Sequence, residues 1–246
     1  MNCQPHWIGM VYNWLFNNQS CLLCDEPADT GLALCSACEL DLPWLGDSCQ
    51  RCALPLPMSG LTCGHCIKQP PAYESVHAPW VYGFPLDSLV IRFKHNSKWP
   101  YGRLLAELLA QSLLDSFNSG NSRPDFLLPV PLSVARLRQR GYNQAAMLAK
   151  WLSPQLNIPC QERWLLRTQD TPAQQALDAK ARKRNLLQAF SLAPGAQVQG
   201  LHLALVDDVL TTGATAESLA RLLIKAGARR VDVYCLARTP KPDGAP

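Results

Sequence analysis

The sequence of 246 residues contains no long apolar run. No stretch reaches the roughly 18 apolar residues that are needed to span a bilayer, so no membrane insertion is predicted. The first twenty residues also lack a basic start and a clean apolar segment, because Trp7, Asn13 and Trp14 interrupt them. These absences argue against a signal peptide and predict a cytoplasmic protein.

Two widespread phosphate-binding motifs are missing as well. The Gly-x-x-x-x-Gly-Lys-Ser/Thr pattern of P-loop nucleotidases does not occur, and no Gly-x-Gly-x-x-Gly follows a predicted strand. The second absence argues against a dinucleotide-binding fold. Apolar residues nevertheless make up 48% of the chain, which is enough for a sizeable core.

Acidic residues are scarce in the middle of the chain. Residues 123–184 contain eleven basic and four acidic side chains, whereas residues 1–70 contain two basic and six acidic ones. A cationic centre favours a polyanionic ligand, although a solvated helix surface explains the basic run at 180–184 equally well. The acidic start argues against direct nucleic-acid binding by that region, because phosphate contacts require lysine and arginine.

The cysteines are concentrated near the start of the chain, where nine of the eleven lie within the first 66 residues. In a cytosolic chain, paired Cys-x-x-Cys motifs favour structural Zn²⁺ over disulfides, and two pairs bind one tetrahedral ion. The uniform 14-residue repeat leaves open which pairs share a metal, and sequential pairing is preferred because it closes the shortest loops. The eight predicted ligands of two zinc ions are Cys21, Cys24, Cys35, Cys38, Cys49, Cys52, Cys63 and Cys66.

A composition break at residues 69–71 (Gln-Pro-Pro) predicts a domain boundary, with a double zinc ribbon over 1–70 and a second domain over 71–246. In the second domain, predicted strands at 79–82, 126–130, 158–166, 201–206 and 231–236 are interspersed with predicted helices at 86–94, 101–114, 144–152, 179–189 and 214–226. The alternation is regular from residue 123 to about 240. It predicts an α/β fold with a mostly parallel sheet flanked by helices and a ligand site at the carboxyl ends of the strands.

The run from Leu203 to Thr215 combines two kinds of ligand-binding residue. Its apolar strand ends in Asp207 and Asp208, whose carboxylates suit sugar hydroxyls rather than phosphate. The loop that follows opens a helix, whose backbone N–H groups and positive dipole end suit a phosphate. A ribose 5-phosphate satisfies both halves, whereas simple turn and helix capping explains less of the pattern. The predicted phosphate-binding residues here are Thr211, Thr212, Gly213, Ala214 and Thr215.

This pattern of two acids, two apolar residues and Thr-Thr-Gly-Ala-Thr resembles the phosphoribosyl pyrophosphate (PRPP) signature of type I phosphoribosyltransferases. Together with the cysteine pairs, further segments make the chain similar to the ComF family, including its GntX-type members. These segments are Ile-Arg-Phe-Lys at 91–94, Pro-Val-Pro-Leu at 129–132, Arg-Gly-Tyr-Asn-Gln at 140–144, Arg-Thr at 167–168 and Arg-Asn-Leu at 184–186.

The resemblance implies a type I phosphoribosyltransferase-like fold and assigns roles at the site. Asp207 and Asp208 would hold the ribose hydroxyls, and Arg136 and Arg140 would meet the pyrophosphate, which Mg²⁺ accompanies. Segment 167–180 resembles a mobile loop that closes over the ligand. Further PRPP contacts are expected from Asn143, Gln144, Arg167 and Arg184.

Three functions remain open at this point. The first is Mg²⁺-dependent transfer of a phosphoribosyl group to an unidentified acceptor. The second is a non-catalytic sensor of PRPP or a nucleotide that regulates a DNA-processing partner. The third, direct binding of single-stranded nucleic acid by residues 123–184, is less favoured. The family resemblance implies a link to the uptake or use of external DNA, with a protein partner in that process.

Overall fold

The computed structural model describes residues 19–96, 98–168 and 189–241, without the side chains of His95 and Asn96. Most of the helix predicted at 179–189 lies outside these ranges. The chain divides into two compact units, residues 1–42 and residues 43–246. The predicted boundary near residue 70 stays a prediction.

The smaller unit, where it is described, is a loop structure with one short helix, α1 (Ser36–Leu40). Cys35 precedes this helix, and its sulfur accepts the Cys38 amide. The Thr30 hydroxyl donates to the carbonyl of Leu34, whose side chain is fully buried. This arrangement brings Cys35 close to Cys24, with 3.7 Å between their sulfur atoms.

The larger unit begins with the second group of cysteines and α2 (Gly64–Lys68). A parallel five-stranded sheet follows, in the order β1, β7, β6, β3, with β2 also paired to β7. Its strands are β1 (Ser75–His77), β2 (Trp80–Val81), β3 (Phe126–Pro129), β6 (His202–Leu210) and β7 (Arg230–Arg238). A separate antiparallel pair consists of β4 (Leu165–Arg167) and β5 (Phe190–Leu192).

Five further helices are described in the larger unit. They are α3 (Leu86–Asn96), α4 (Trp99–Asn118), α5 (Val134–Arg140), α6 (Gln144–Leu156) and α7 (Ala214–Lys225). Helix α4 buries Leu104, Leu105, Leu108 and Leu109, which share one helical face. No helix among the described residues is long and apolar enough to cross a membrane.

Burial changes along the central strand β6. Its residues from Leu203 to Val206 are all fully buried, as expected for a parallel strand that is covered on both faces. The same strand becomes partly exposed at Asp207 and Asp208. The buried apolar run therefore carries the acidic pair to the carboxyl edge of the sheet, and the predicted fold class is confirmed.

Several parts of the local structure differ from the sequence prediction, among them the short strands β1 and β5, which were not predicted. Helix α5 was not predicted, because it buries none of its residues and so has no apolar stripe. It is defined by its ends, where the Ser133 side chain accepts the Arg136 amide and Gly141 adopts a left-handed conformation. The strand predicted at 158–166 is reduced to a bridge between Leu127 and Cys160, followed by β4.

Candidate functional site

A cleft of about 330 Å³ lies at the carboxyl edge of the sheet, where β3, β6 and β7 end. Residues from six separate parts of the chain line it, and most of the residues that were predicted to bind the ligand are among them. The predicted residues in the lining are Arg136, Arg140, Arg167, Asp207, Asp208, Thr211, Thr212, Gly213, Ala214 and Thr215. Parallel α/β sheets bind their ligands at this edge.

The loop from Thr211 to Thr215 forms one wall of the cleft. Gly213 has a φ of +76° and directly precedes α7, a backbone conformation that glycine adopts at little cost. Glycine offers no side-chain acceptor, so the usual helix cap is replaced only by the Thr212 hydroxyl, which accepts the Ala214 amide at 3.3 Å. The start of α7 therefore presents backbone N–H groups to an anion in the cleft.

Asp207 and Asp208 form the floor beside this loop. The Asp207 carboxylate accepts the Asp208 amide at 2.9 Å, and the Asp208 carboxylate accepts the Val209 amide at 2.6 Å. Burial, reinforced by the neighbouring Asp208 charge, raises the pKa of Asp207 to about 7. Lys94 lies 3.2 Å from the second Asp208 oxygen. The backbone amides and Lys94 therefore fix the orientation of the two carboxylates in the lining of the cleft.

Three arginines form the basic side of the cleft. Arg136 and Arg140 come from α5, and Arg167 comes from the end of β4, where its guanidinium lies 5.5 Å from the centre of the Phe190 ring. Arg140 donates to the side chain of Gln144 at 3.1 Å. This concentration of positive charge in the same lining as the loop at 211–215 suits an anionic ligand.

Asn143 and Gln144 lie behind the cleft rather than in its lining. The Asn143 amide donates to the Val130 carbonyl at 2.9 Å, and its oxygen accepts the Ala145 amide at the start of α6. Gln144 is buried and donates to the Lys94 carbonyl at 3.4 Å. Gln144 therefore supports Arg140 and Lys94, whereas Asn143 joins the end of β3 to the start of α6. Arg184 lies outside the described residues, as does most of the predicted mobile loop at 167–180.

The sequence did not single out three residues of the site: Lys94, Tyr82 and Arg238. Lys94 and Tyr82 line the cleft, and Arg238 ends β7, where it bonds to the Leu210 and Thr211 carbonyls at the start of the loop at 211–215. Arg238 could have been named as a candidate site residue because it lies at the carboxyl end of a predicted strand. Lys94 lies in the segment 91–94, one of those that carry the family resemblance, but no role was assigned to that segment.

The cysteines form two four-sulfur groups, Cys21, Cys24, Cys35 and Cys38, and Cys49, Cys52, Cys63 and Cys66. Within each group all sulfur atoms lie within 4.8 Å of one another. Each group has one sulfur pair 3.7 Å apart, close to the roughly 3.8 Å between two sulfurs on one tetrahedral Zn²⁺. Sequential pairing is therefore confirmed, and the donors fit two structural zinc sites.

Backbone amides of the second group lower the pKa of one of its thiols. Burial opposes ionisation of the Cys49 thiol, but amide N–H groups outweigh it and lower its pKa to about 7. One of these is the Cys63 amide, 3.2 Å from the Cys49 sulfur. A thiolate is the form that binds zinc.

Comparisons with known proteins agree with these features. Residues 11–67 match the double zinc ribbon domain family. The chain is 36% identical over 220 residues to the DNA utilization protein YhgH of Escherichia coli, covering 89% of this chain and 90% of that protein. It is 38% identical over 174 residues to competence protein F of Haemophilus influenzae, covering 70% and 76%.

Among solved structures, the purine phosphoribosyltransferase from Pyrococcus horikoshii is similar with a TM-score of 0.37 and 18% identity, over 58% of this chain and 79% of that chain. The two bacterial relatives match over most of their length and of this chain. The chain therefore belongs to the ComF family, which includes competence protein F and the DNA utilization protein YhgH.

Proposed function

We propose that the protein binds Mg²⁺ and PRPP in this cleft and transfers the phosphoribosyl group to an acceptor. One observation carries the proposal: the Asp207–Asp208 pair, the start of α7 and Arg136, Arg140 and Arg167 line one cleft. PRPP has a diol, a 5-phosphate and a pyrophosphate on one ribose ring. The three parts of the cleft match these three groups in chemistry.

Each group of the ligand has a partner in this arrangement. The Asp207 and Asp208 carboxylates accept hydrogen bonds from the two ribose hydroxyls. The N–H groups at the start of α7, with the nearby threonine hydroxyls, donate to the 5-phosphate. The arginines face the pyrophosphate. These contacts orient carbon 1 of the ribose toward the open side of the cleft.

In the transfer step, an acceptor lone pair forms a bond to carbon 1 while the bond from carbon 1 to the pyrophosphate oxygen breaks. The electron pair of that bond leaves with the pyrophosphate, and the acceptor loses a proton to solvent or to a base. Arg136 and Arg140 stabilise the charge that develops on the leaving oxygen. Mg²⁺, for which the cleft offers carboxylate oxygens as preferred ligands, would neutralise part of the same charge.

A role in the use of external DNA is proposed because of the relatives. One is named a competence protein and the other a DNA utilization protein. Transfer to a nucleobase or nucleoside released from incoming DNA would connect this cleft with such a role. The proposal also admits a protein partner in DNA uptake or processing.

Isothermal titration with PRPP and Mg²⁺ tests the binding. The wild type should bind, and the double variant Asp207→Asn/Asp208→Asn should lose measurable binding because the ribose loses both charged acceptors. The control is Asp115→Asn, which removes an exposed carboxylate from α4, outside the cleft. Absence of binding by the wild type would overturn the proposed function.

The cleft also favours a second candidate, a PRPP sensor without catalysis. Among its described lining residues, Asp207 and Asp208 are the sole carboxylates and no histidine is present, so neither a further carboxylate nor an imidazole lies there to take a proton from the acceptor. Pyrophosphate release in a panel of bases, nucleosides and amines separates the two functions. Acceptor-dependent release establishes the enzyme, whereas tight PRPP binding without release under any acceptor establishes the sensor.

A further inference from the structure

Arg238 makes an unusual set of contacts at the end of β7. Its side chain is buried, and its Nε donates to the Cys52 carbonyl at 2.9 Å. One terminal nitrogen donates to the carbonyls of Leu210 at 3.0 Å and Thr239 at 2.7 Å, and also to that of Thr211. A buried guanidinium is costly unless its donors are satisfied, so these four carbonyls hold it in one orientation.

The four carbonyls belong to two different functional regions. Cys52 is a ligand of the second zinc site, and its sulfur lies 3.7 Å from that of Cys63. Leu210 and Thr211 lead into the loop at 211–215, which lines the cleft and is the proposed phosphate loop. Arg238 therefore connects the backbone of a zinc knuckle directly to the backbone that positions the 5-phosphate.

A second connection runs parallel to the first. The Ala72 amide, just after the second zinc ribbon, donates to the Glu217 carboxylate in the first turn of α7 at 2.7 Å. The adjacent Tyr73 is buried, and its hydroxyl lies 3.2 Å from where a Cβ on Gly213 would be. Tyr73 also packs in one hydrophobic core with Cys52 and Cys66. The zinc ribbon thus supports the phosphate loop from beneath.

We propose that zinc in the second site and PRPP in the cleft stabilise each other's binding, and that Arg238 is the positioning residue that couples them. The inference rests on the proposed function. Loss of zinc frees the Cys52 backbone, Arg238 loses one of its fixed acceptors, and the loop at 211–215 loses its support. Because coupling between the affinities of two sites is reciprocal, PRPP must then tighten zinc binding at the second site. We expect the tighter binding to appear as a slower loss of zinc.

Zinc release from the intact two-zinc protein measures this coupling directly. A chelating dye is added in excess, and its absorbance follows both ions with and without saturating PRPP and Mg²⁺. One of the two release phases should slow by about tenfold with PRPP. The other phase should not change, because the network around Arg238 consists of residues 52–239 and excludes the first four cysteines. The protected phase should remain in Cys24→Ser, which lacks a ligand of the first site and carries one zinc.

Two variants identify the residue and the ligand site. Arg238→Lys keeps the charge but cannot reach the same set of carbonyls, so the ratio of release rates with and without PRPP should fall toward one. A global loss of stability would instead speed both phases and leave the ratio intact. Arg103→Lys is the matched control, because Arg103 is exposed on α4. Asp207→Asn/Asp208→Asn should also lose protection, which excludes chelation of zinc by PRPP itself.

The outcomes separate this proposal from the proposed function. If calorimetry shows no PRPP binding, the proposed function fails. If PRPP binds but neither release phase slows, the cleft functions as proposed and the coupling is wrong. If PRPP slows one phase equally in the wild type and in Arg238→Lys, the sites are coupled through other contacts and the role of Arg238 is wrong.

Discussion

The ammonium group of Lys94 lies 3.2 Å from the Asp208 carboxylate, and both side chains are largely buried. This pair joins the end of α3 to the end of β6, across 114 positions of sequence. It fixes the orientation of one of the two carboxylates that are proposed to hold the ribose.

Replacing Lys94 with glutamine should therefore weaken PRPP binding by about tenfold, because a charged hydrogen-bond partner is worth roughly 1.5–3 kcal/mol. Titration calorimetry at constant pH measures the effect. The matched control is Lys150→Gln, which breaks a more exposed pair with Glu162 at 3.0 Å and should leave binding unchanged. Equal affinity of Lys94→Gln and wild type would contradict a role for this pair in the site.

The raised pKa of Asp207 predicts a pH-dependent stability. Because burial raises it to about 7, the folded state retains a proton that the unfolded state has already lost at pH 6. Stability from this group therefore falls as pH rises through about 7. Asparagine does not ionise, so Asp207→Asn loses no stability in this way as the pH rises. The free energy of unfolding of the variant, relative to that of the wild type, should therefore increase by about 1 kcal/mol between pH 6 and pH 8.

Urea denaturation of both proteins at pH 6, 7 and 8 gives this difference, with contributions from other titrating groups cancelling between them. Asp115→Asn, an exposed aspartate, should show no such trend. A difference that is constant with pH would mean that Asp207 is not held in a state that resists ionisation.

Substitution of Gly213 by alanine should affect both stability and binding. Its φ of +76° costs an alanine about 1–2 kcal/mol, and the new Cβ would lie 3.2 Å from the Tyr73 hydroxyl. Gly195 provides the comparison, since its φ is +83° and nothing lies within 4 Å of its Cβ position. Both variants should lose stability in denaturation, but calorimetry should show weaker PRPP binding in Gly213→Ala alone. Weaker binding in Gly195→Ala would point to a general effect of destabilisation.

The two four-cysteine groups predict two zinc ions per chain, measured by elemental analysis of protein purified without chelators. Cys24→Ser and Cys52→Ser should each retain about one, because a site with three thiolates binds zinc much more weakly. Cys160→Ser is the control, since Cys160 belongs to neither group, and it should retain two. Retention of two ions by Cys52→Ser would contradict its assignment as a ligand.

The parts of the fold and the site that consist of contiguous residues could be predicted from the sequence. The buried run of β6, the acidic pair and the threonine loop are contiguous, so their local pattern carries most of the information. The zinc ligands were predictable for the same reason, although their uniform spacing did not decide the pairing.

The long-range contacts were not predictable from one sequence. Nothing near Lys94 indicates that it meets Asp208, and nothing near Arg238 indicates that it meets Cys52, because these contacts depend on how the strands assemble. Asn143 and Gln144 were expected at the ligand, but neither lines the cleft: Gln144 bonds to Arg140 and Lys94, and Asn143 bonds to the Val130 carbonyl and caps α6. A motif identifies residues that matter to a site without distinguishing contact from support.

Cys52 has two separate attachments, its sulfur in the metal site and its carbonyl on Arg238. A serine in its place would keep the carbonyl and remove the sulfur, so the arginine would remain buried against a knuckle that no longer has its metal. Substitutions at Cys52 and Arg238 are therefore expected to occur together in related chains. Homologous chains that have lost the second cysteine group should also have replaced the arginine at the end of β7, and an alignment of many such chains would reveal the two changes occurring together.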